Sequence, residues 1–151
     1  RLTHYLGDWI RHGSWHPDWI VRLFNRTETE WGGTNPHDKV IPTRNVEYLD
    51  GVLYHYPYDD LADHLKFINY YTDIMSHEKD QAGVEGSMFK ASTHGAFKTL
   101  KDLVIKRGVL DGKRGIACAI VGGFYTFMKY LKLWERQNLD VPERSDYPTK
   151  D

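Results

Sequence analysis

The sequence predicts an α+β chain, a few strands followed by three helices, on three observations. Alternation with a period of two is confined to the first 58 positions, the spacing turns helical from Asp59, and Gly115 to Met128, "GIACAIVGGFYTFM", carries no charge. A length of 151 residues is about one domain, and 40% apolar with 14% aromatic content can fill a core. The chain divides accordingly into a strand-containing part over 1–58, a helical part over 59–137 and a polar tail over 138–151.

The first eleven residues, "RLTHYLGDWIR", crowd aromatics and aliphatics together and suit a short helix or a turn. "HGSWHPDWIVRLFNR" follows, with polar side chains around a short apolar run. Past the breaker Pro17, Trp19 to Arg26 alternates as a strand does. Trp19, Val21 and Leu23 then share one face, and Ile20, Arg22, Phe24 and Arg26 the other, so both arginines point the same way. "TETEWGGTNPHDKV" clusters Gly32, Gly33, Asn35 and Pro36 and predicts a loop with His37 and Asp38 at its far end. Val46 to Tyr56 is rich in Val, Leu and Tyr. It is one strand, or a hairpin turning at Asp50-Gly51.

Asp60 is placed to cap a long amphipathic helix running to about Lys79. Its predicted core stripe is Leu61, Leu65, Ile68 and Met75, with His64, Lys66, Asn69 and Asp73 off it. Gly83 and Gly86 break the pattern, and a second helix is predicted from Thr93 to Arg107, with Phe97, Leu100 and Val104 on its apolar side and Gly108 as its stop. Asp111-Gly112 turns the chain into the uncharged run, which Lys129 and Lys132 end. The tail "NLDVPERSDYPTKD" is polar, has two prolines and is expected to be disordered.

Twenty basic against 21 acidic residues leave a net charge of −1, which gives no support for a nucleic-acid binder. Any role for charge must be local. The single Cys118 can form no internal disulfide and suits a reducing, cytoplasmic setting. No signal peptide is evident, and a start at Arg1 rather than Met leads us to expect a piece of a longer protein. The uncharged run of fourteen residues is shorter than the roughly twenty a spanning helix needs. It is expected to be a buried helix or one lying on a bilayer. The cluster Lys98, Lys101, Lys106, Arg107, Lys113 and Arg114 favours an anionic membrane surface, by about 1 kcal/mol per charge near the headgroups. A solvated basic face is the alternative.

Several chemistries fall away. "HEKDQ" from His77 starts like a zinc-protease helix but has Gln81 in place of the second histidine. There is no glycine-rich phosphate loop and no Gly-x-Ser-x-Gly. The eight histidines are scattered without metal-ligand spacing.

Four stretches in order, "LGDWIRHGSWHPDWIVRLFNR", "PHDKV", "GVLYHYPYDDLADHLKFINYY" and "RGVLDGKRGIACAIVGGFYTFMKYLKLWE", resemble the C-terminal half of bacterial family 2 glycosyltransferases, the lipopolysaccharide core glucosyltransferases among them. The resemblance implies a GT-A fold, of which residues 6 to about 136 match the acceptor-side portion. It also implies a nucleotide-sugar donor, a lipid-linked saccharide acceptor, and a divalent cation (Mg or Mn) held mainly by an Asp-x-Asp in the nucleotide-binding half. No Asp-x-Asp occurs here. The implied setting is cytoplasmic, peripheral to the inner membrane. A non-catalytic binding or docking module that lacks the nucleotide-binding half is the alternative.

An inverting transfer needs a carboxylate to take the acceptor proton and positive charge to steady the departing diphosphate. The family reads His-Glu where this chain has His37-Asp38, so the resemblance assigns the base to Asp38, with His37 beside the substrate. Arg22 and Arg26 are candidates for the diphosphate through their planar donor forks. Trp15 and Trp19 are candidates for flat apolar surface against a sugar ring, Asp18 for its hydroxyls, and His55, in "YHY", for the metal. The competing readings are a capped turn or a Lys39 pair for Asp38, surface salt bridges for the arginines, packing for Trp19 and a satisfied structural histidine for His55.

Overall fold

The computed structural model describes residues 1–32, 39–42 and 45–140. It is an α+β arrangement of short strands followed by three helices. Strands β1 (Leu2–Tyr5) and β2 (Asp8–Ile10) form an antiparallel hairpin in the register Thr3↔Ile10 and Tyr5↔Asp8. Leu6 and Gly7 join them with φ of 50° and 84°, the left-handed pair that a two-residue hairpin turn demands. The opening residues are therefore a hairpin, with the expected turn at Leu6-Gly7 and no helix. The signal was faint because Leu stands where Asn or Asp usually marks such a turn.

Strands β3 (Thr29–Gly32) and β4 (Lys39–Pro42) pair antiparallel in a separate ladder. The two ends of the stretch predicted as a loop are thus strands, while Gly33, Asn35 and Pro36 lie outside the described residues. Strand β5 (Tyr54–His55) lies parallel to β1, with Leu2↔Tyr54 and Thr3↔His55. It is all that is extended in Val46 to Tyr56, where Asp50 and Gly51 form only a bend.

The strand predicted from Trp19 to Arg26 does not form: residues 18–25 have no regular structure. Alternation supplies faces but no partner edge, and an unpaired strand leaves its N–H and C=O groups to water. Asn25 shapes the turn that follows, its side chain accepting from Thr27 N and Oγ1 and its carbonyl from Glu28 N. Arg22 and Arg26 accordingly share no strand face, and both are exposed.

Helix α1 (Leu61–Gln81) starts on Asp60 as predicted, the carboxylate accepting from Asp63 N at 2.7 Å. Its inward stripe differs from the one expected. His64, Ile68, Thr72 and Ser76 are buried, while Leu61 and Leu65 are exposed. Thr72 Oγ1 donates to the Ile68 carbonyl and Ser76 Oγ to that of Asp73, so these small polar groups are satisfied within their own helix and can face a neighbour.

Helix α2 (Met88–Leu100) is capped by Ser87, begins five residues before the predicted Thr93, and continues as a π-helical turn over Lys101–Ile105. A 3-10 turn over Gly108–Asp111 leads into α3 (Gly112–Asn138). Both α1 and α2 pack on α3. On α2 the buried residues are Ala91 and Gly95, and the expected core side is inverted: Phe97, Leu100 and Val104 are 60% exposed or more. The cause is the α2–α3 crossing. A Cβ on Gly123 would collide with Thr99 Oγ1 and stand 2.8 Å from the Gly95 carbonyl oxygen. Helices this close must meet on their smallest residues, which turns the large ones outward.

The 27 residues of α3 span about 40 Å, so by length and composition alone Gly108–Asn138 could cross a membrane. The helix containing the uncharged run is thus longer than that run suggested. Two helices lie along it, and Asp73 of α1 pairs with Lys132 at 2.7 Å, both largely buried. It is the central helix of this arrangement, with Ala119 and Leu133 in a core shared with Tyr5, Ile10, Ile68 and Ala91.

Candidate functional site

Residues 11–18 run from the end of the small sheet across the helices, and most of their polar groups are spent on holding them there. Arg11 N and His12 N donate to Asp111 Oδ2 at 2.9 and 2.8 Å, and His12 Nδ1 is hydrogen-bonded to Asp111 Oδ1 at 2.7 Å. Burial pulls the Asp111 carboxyl upward, but these bonds outweigh it and hold its pKa below the ordinary value. Gly13 N donates to the Lys106 carbonyl at 2.8 Å, inside the turn Gly13–Trp15.

Ser14 is pinned from two sides. Its hydroxyl donates to Asp102 Oδ1 at 2.5 Å and accepts from Lys98 Nζ at 2.8 Å, while Lys98 also donates to Asp102 Oδ2. Asp102 is buried, so its charge is tolerable only because a cation and a hydroxyl satisfy it. A cavity of about 10 Å³ beside this triad is lined by His12, Ser14, Trp15, Asp102 and Cys118, and it has room for one water molecule. It cannot admit a sugar. Burial, followed by the Asp111 and Asp102 carboxylates, pushes the Cys118 thiol up to about 12, which rules it out as a nucleophile at neutral pH.

Trp15 enters an aromatic cluster. It stands edge-on to Tyr5 at 4.9 Å and near His64 at 5.8 Å. His64 stacks on Tyr58 at 3.9 Å and shares a 2.8 Å hydrogen bond with Tyr5 Oη. Burial lowers His64 to about 4 and raises Tyr5 and Tyr58 to about 12, so the cluster is uncharged at neutral pH.

The other candidates fall into two groups. Asp18 accepts from Arg1 Nε at 2.6 Å. His55, on β5 opposite Thr3, has its pKa lowered first by burial and then by Arg1 and Arg22, with Asp18 acting the other way. Arg1, Asp18 and Arg22 are thereby the charges that act on His55, and Arg1, which the sequence did not suggest, is in direct contact with Asp18. Arg26 is not among the charges acting on His55 and lies exposed beyond the irregular segment. Trp19 is 69% exposed against the Tyr48 ring rather than packed in the core. His37 and Asp38 lie outside the described residues.

Among the described residues no group of three or more His, Cys, Asp or Glu could hold a metal ion. His55 has Asp18 near it, but two guanidinium groups stand in the same field and repel a cation. These residues do not fit a divalent ion. What sequence reasoning missed is the Ser14–Lys98–Asp102 triad and the His12–Asp111 clasp. The only signal was Lys98 and Asp102 at i, i+4, a spacing that pairs opposite charges on a helix.

Over 122 residues the chain is 25% identical to an uncharacterized glycosyltransferase of Rickettsia prowazekii (strain Madrid E), a match covering 75% of this chain and 42% of that protein. The relationship it supports is to glycosyltransferases. The chain spans about two fifths of that relative's length. No family model matches the sequence, and no solved structure matches it.

Proposed function

We propose that this chain is the acceptor-side, C-terminal portion of an inverting family 2 glycosyltransferase of the GT-A kind. It moves a hexose from a nucleotide-sugar to a lipid-linked saccharide such as lipopolysaccharide core, at the cytoplasmic face of the inner membrane. The observation that carries this reading is the similarity to a glycosyltransferase along most of the chain.

In this reading Asp38 takes the proton of the acceptor hydroxyl as its oxygen bonds to the anomeric carbon and the bond to the diphosphate breaks. Arg22 and Arg26 meet the departing charge through their planar donor forks, with Arg22 the one of the two whose charge is felt at His55. Trp15, Asp18 and His37 serve the acceptor sugar. A divalent cation, Mg or Mn, would be held mainly by the nucleotide-binding half and would supply charge to offset the diphosphate. The exposed apolar side chains of the irregular segments, Leu23, Leu49 and Leu53 among them, suit a surface on which that half packs.

The test is Asp38→Asn in the full-length protein. Turnover is expected to fall at least about 100-fold with donor affinity by calorimetry unchanged. Unchanged turnover removes Asp38 from the role of base.

A further inference from the structure

The inverted face of α2 continues past its end. Phe97, Leu100 and Val104 follow one another at i, i+3 and i+7 on a single outward stripe, and Val109 and Leu110 extend it over the 3-10 turn to Ile116 at the start of α3. Val104 is 69% exposed and Leu110 63%. Between them lies a groove of about 600 Å³ whose one charged lining residue is Arg107.

The charge around this face is one-sided. Residues 90–134 hold nine basic residues and two acidic ones, and three of the basic ones are ion-paired, Lys98 with Asp102, Arg114 with Asp8 and Lys132 with Asp73. Both acids are turned inward, Asp102 to Ser14 and Lys98, and Asp111 to residues 11 and 12. Lys101, Lys106, Arg107 and Lys113 are exposed and make no ion pair among the described residues. The near-zero net charge of the whole chain conceals this segregation. A second copy is a poor occupant, because a two-fold contact would set the same positive face against itself.

We propose that this face seats the protein on an anionic bilayer, with the Gly108–Asp111 turn deepest, an acyl chain in the groove, and Lys106, Arg107 and Lys113 at the headgroup phosphates. It deepens the reading of a lipid-linked acceptor and rests on it for the membrane's relevance to transfer. The seat is also joined to the candidate site: Asp111 lies in the deepest turn and clasps residues 11 and 12, while the Lys106 carbonyl holds Gly13. Docking therefore sets the height of the "HGSW" segment above the headgroups.

The test is co-sedimentation of the full-length protein with vesicles of phosphatidylglycerol and phosphatidylcholine, against phosphatidylcholine alone, at low and high salt. The protein is expected to pellet with the anionic vesicles at low salt. Lys106→Gln and Arg107→Gln should each weaken binding about five-fold, Val104→Asp combined with Leu110→Asp should abolish it, and Lys66→Gln on α1 should leave it unchanged. All of these positions are exposed, so unchanged thermal melts confirm that each variant folds. Wild-type protein left in the supernatant, or equal pelleting by the Val104→Asp, Leu110→Asp protein, overturns the proposal. So does a dimer in light scattering that this double substitution dissolves, which would give the face to a second copy. Vesicle binding needs no donor or acceptor, so it can fail while transfer to a soluble acceptor persists, or hold while transfer is absent.

Discussion

Helices α1 and α2 lie against the same partner but turn opposite kinds of residue toward the interior. On α1 the buried residues are His64, Ile68, Thr72, Ile74 and Ser76, three of the five polar; on α2 they are Ala91 and Gly95, and Phe97, Leu100 and Val104 face out. The difference teaches that size and hydrogen-bond satisfaction decide which side faces α3. Thr72 and Ser76 bond their own helix and bury at little cost, and His64 is met by Tyr5. On α2 the approach at Gly95 and Gly123 leaves no room for a large side chain, and the apolar residues are released to a surface rich in lysine and arginine.

The comparison breaks most sharply at the crossing. Gly123→Leu drives a side chain into Thr99 and the Gly95 carbonyl and is expected to cost about 3 kcal/mol or more in urea unfolding. A variant of native stability would mean that α2 is not held by that contact.

The polar line of α1 can be probed by pH. His64 has a pKa of about 4 in the fold against an ordinary value of 6.5, so the unfolded chain takes up the proton first. Its contribution is full above pH 6.5 and is lost as the pH falls toward 4, on the order of 3 kcal/mol in all. His64→Gln should flatten the dependence of unfolding free energy on pH across that window. An unchanged slope would assign it to other groups.

Asp102→Asn sharpens the comparison from the α2 side, since Asp102 is the one charged group that the π-helical turn buries. It leaves Lys98 without its counter-charge, and a loss of about 2 kcal/mol is expected, less than for a fully buried pair because Lys98 is 31% exposed. Ser14→Ala should cost about 1 kcal/mol through the same triad. At the small end, Val104→Ser on the outward stripe should change stability by no more than about 0.5 kcal/mol, and a larger loss would show that the stripe packs against something.

Much of the element order was readable from local chemistry. The Asp60 cap, the helix after it and the interruption at Gly108 follow from caps and spacing. The β1–β2 hairpin was not, because its strands are short and its turn carries Leu6. The segment 19–26 misled for a different reason, having the pattern of a strand and no neighbour to pair with. At the candidate site the sequence offered Asp18, Arg22 and His55 as separate suggestions. The link of His55 to the Arg1–Asp18 pair depends on β5 returning beside β1 and on Arg1 reaching Asp18.

By itself, then, the sequence determined what is local: the change from short strands to helices near Asp59, the helix start at Asp60, and the concentration of basic residues from 90 to 134. Tertiary structure alone decided which way each helix is rotated, and which polar side chains meet. A helix can turn about its axis without altering its own hydrogen bonds, so only the glycine contact between α2 and α3, and clasps such as His12 to Asp111 across 99 positions, select one orientation.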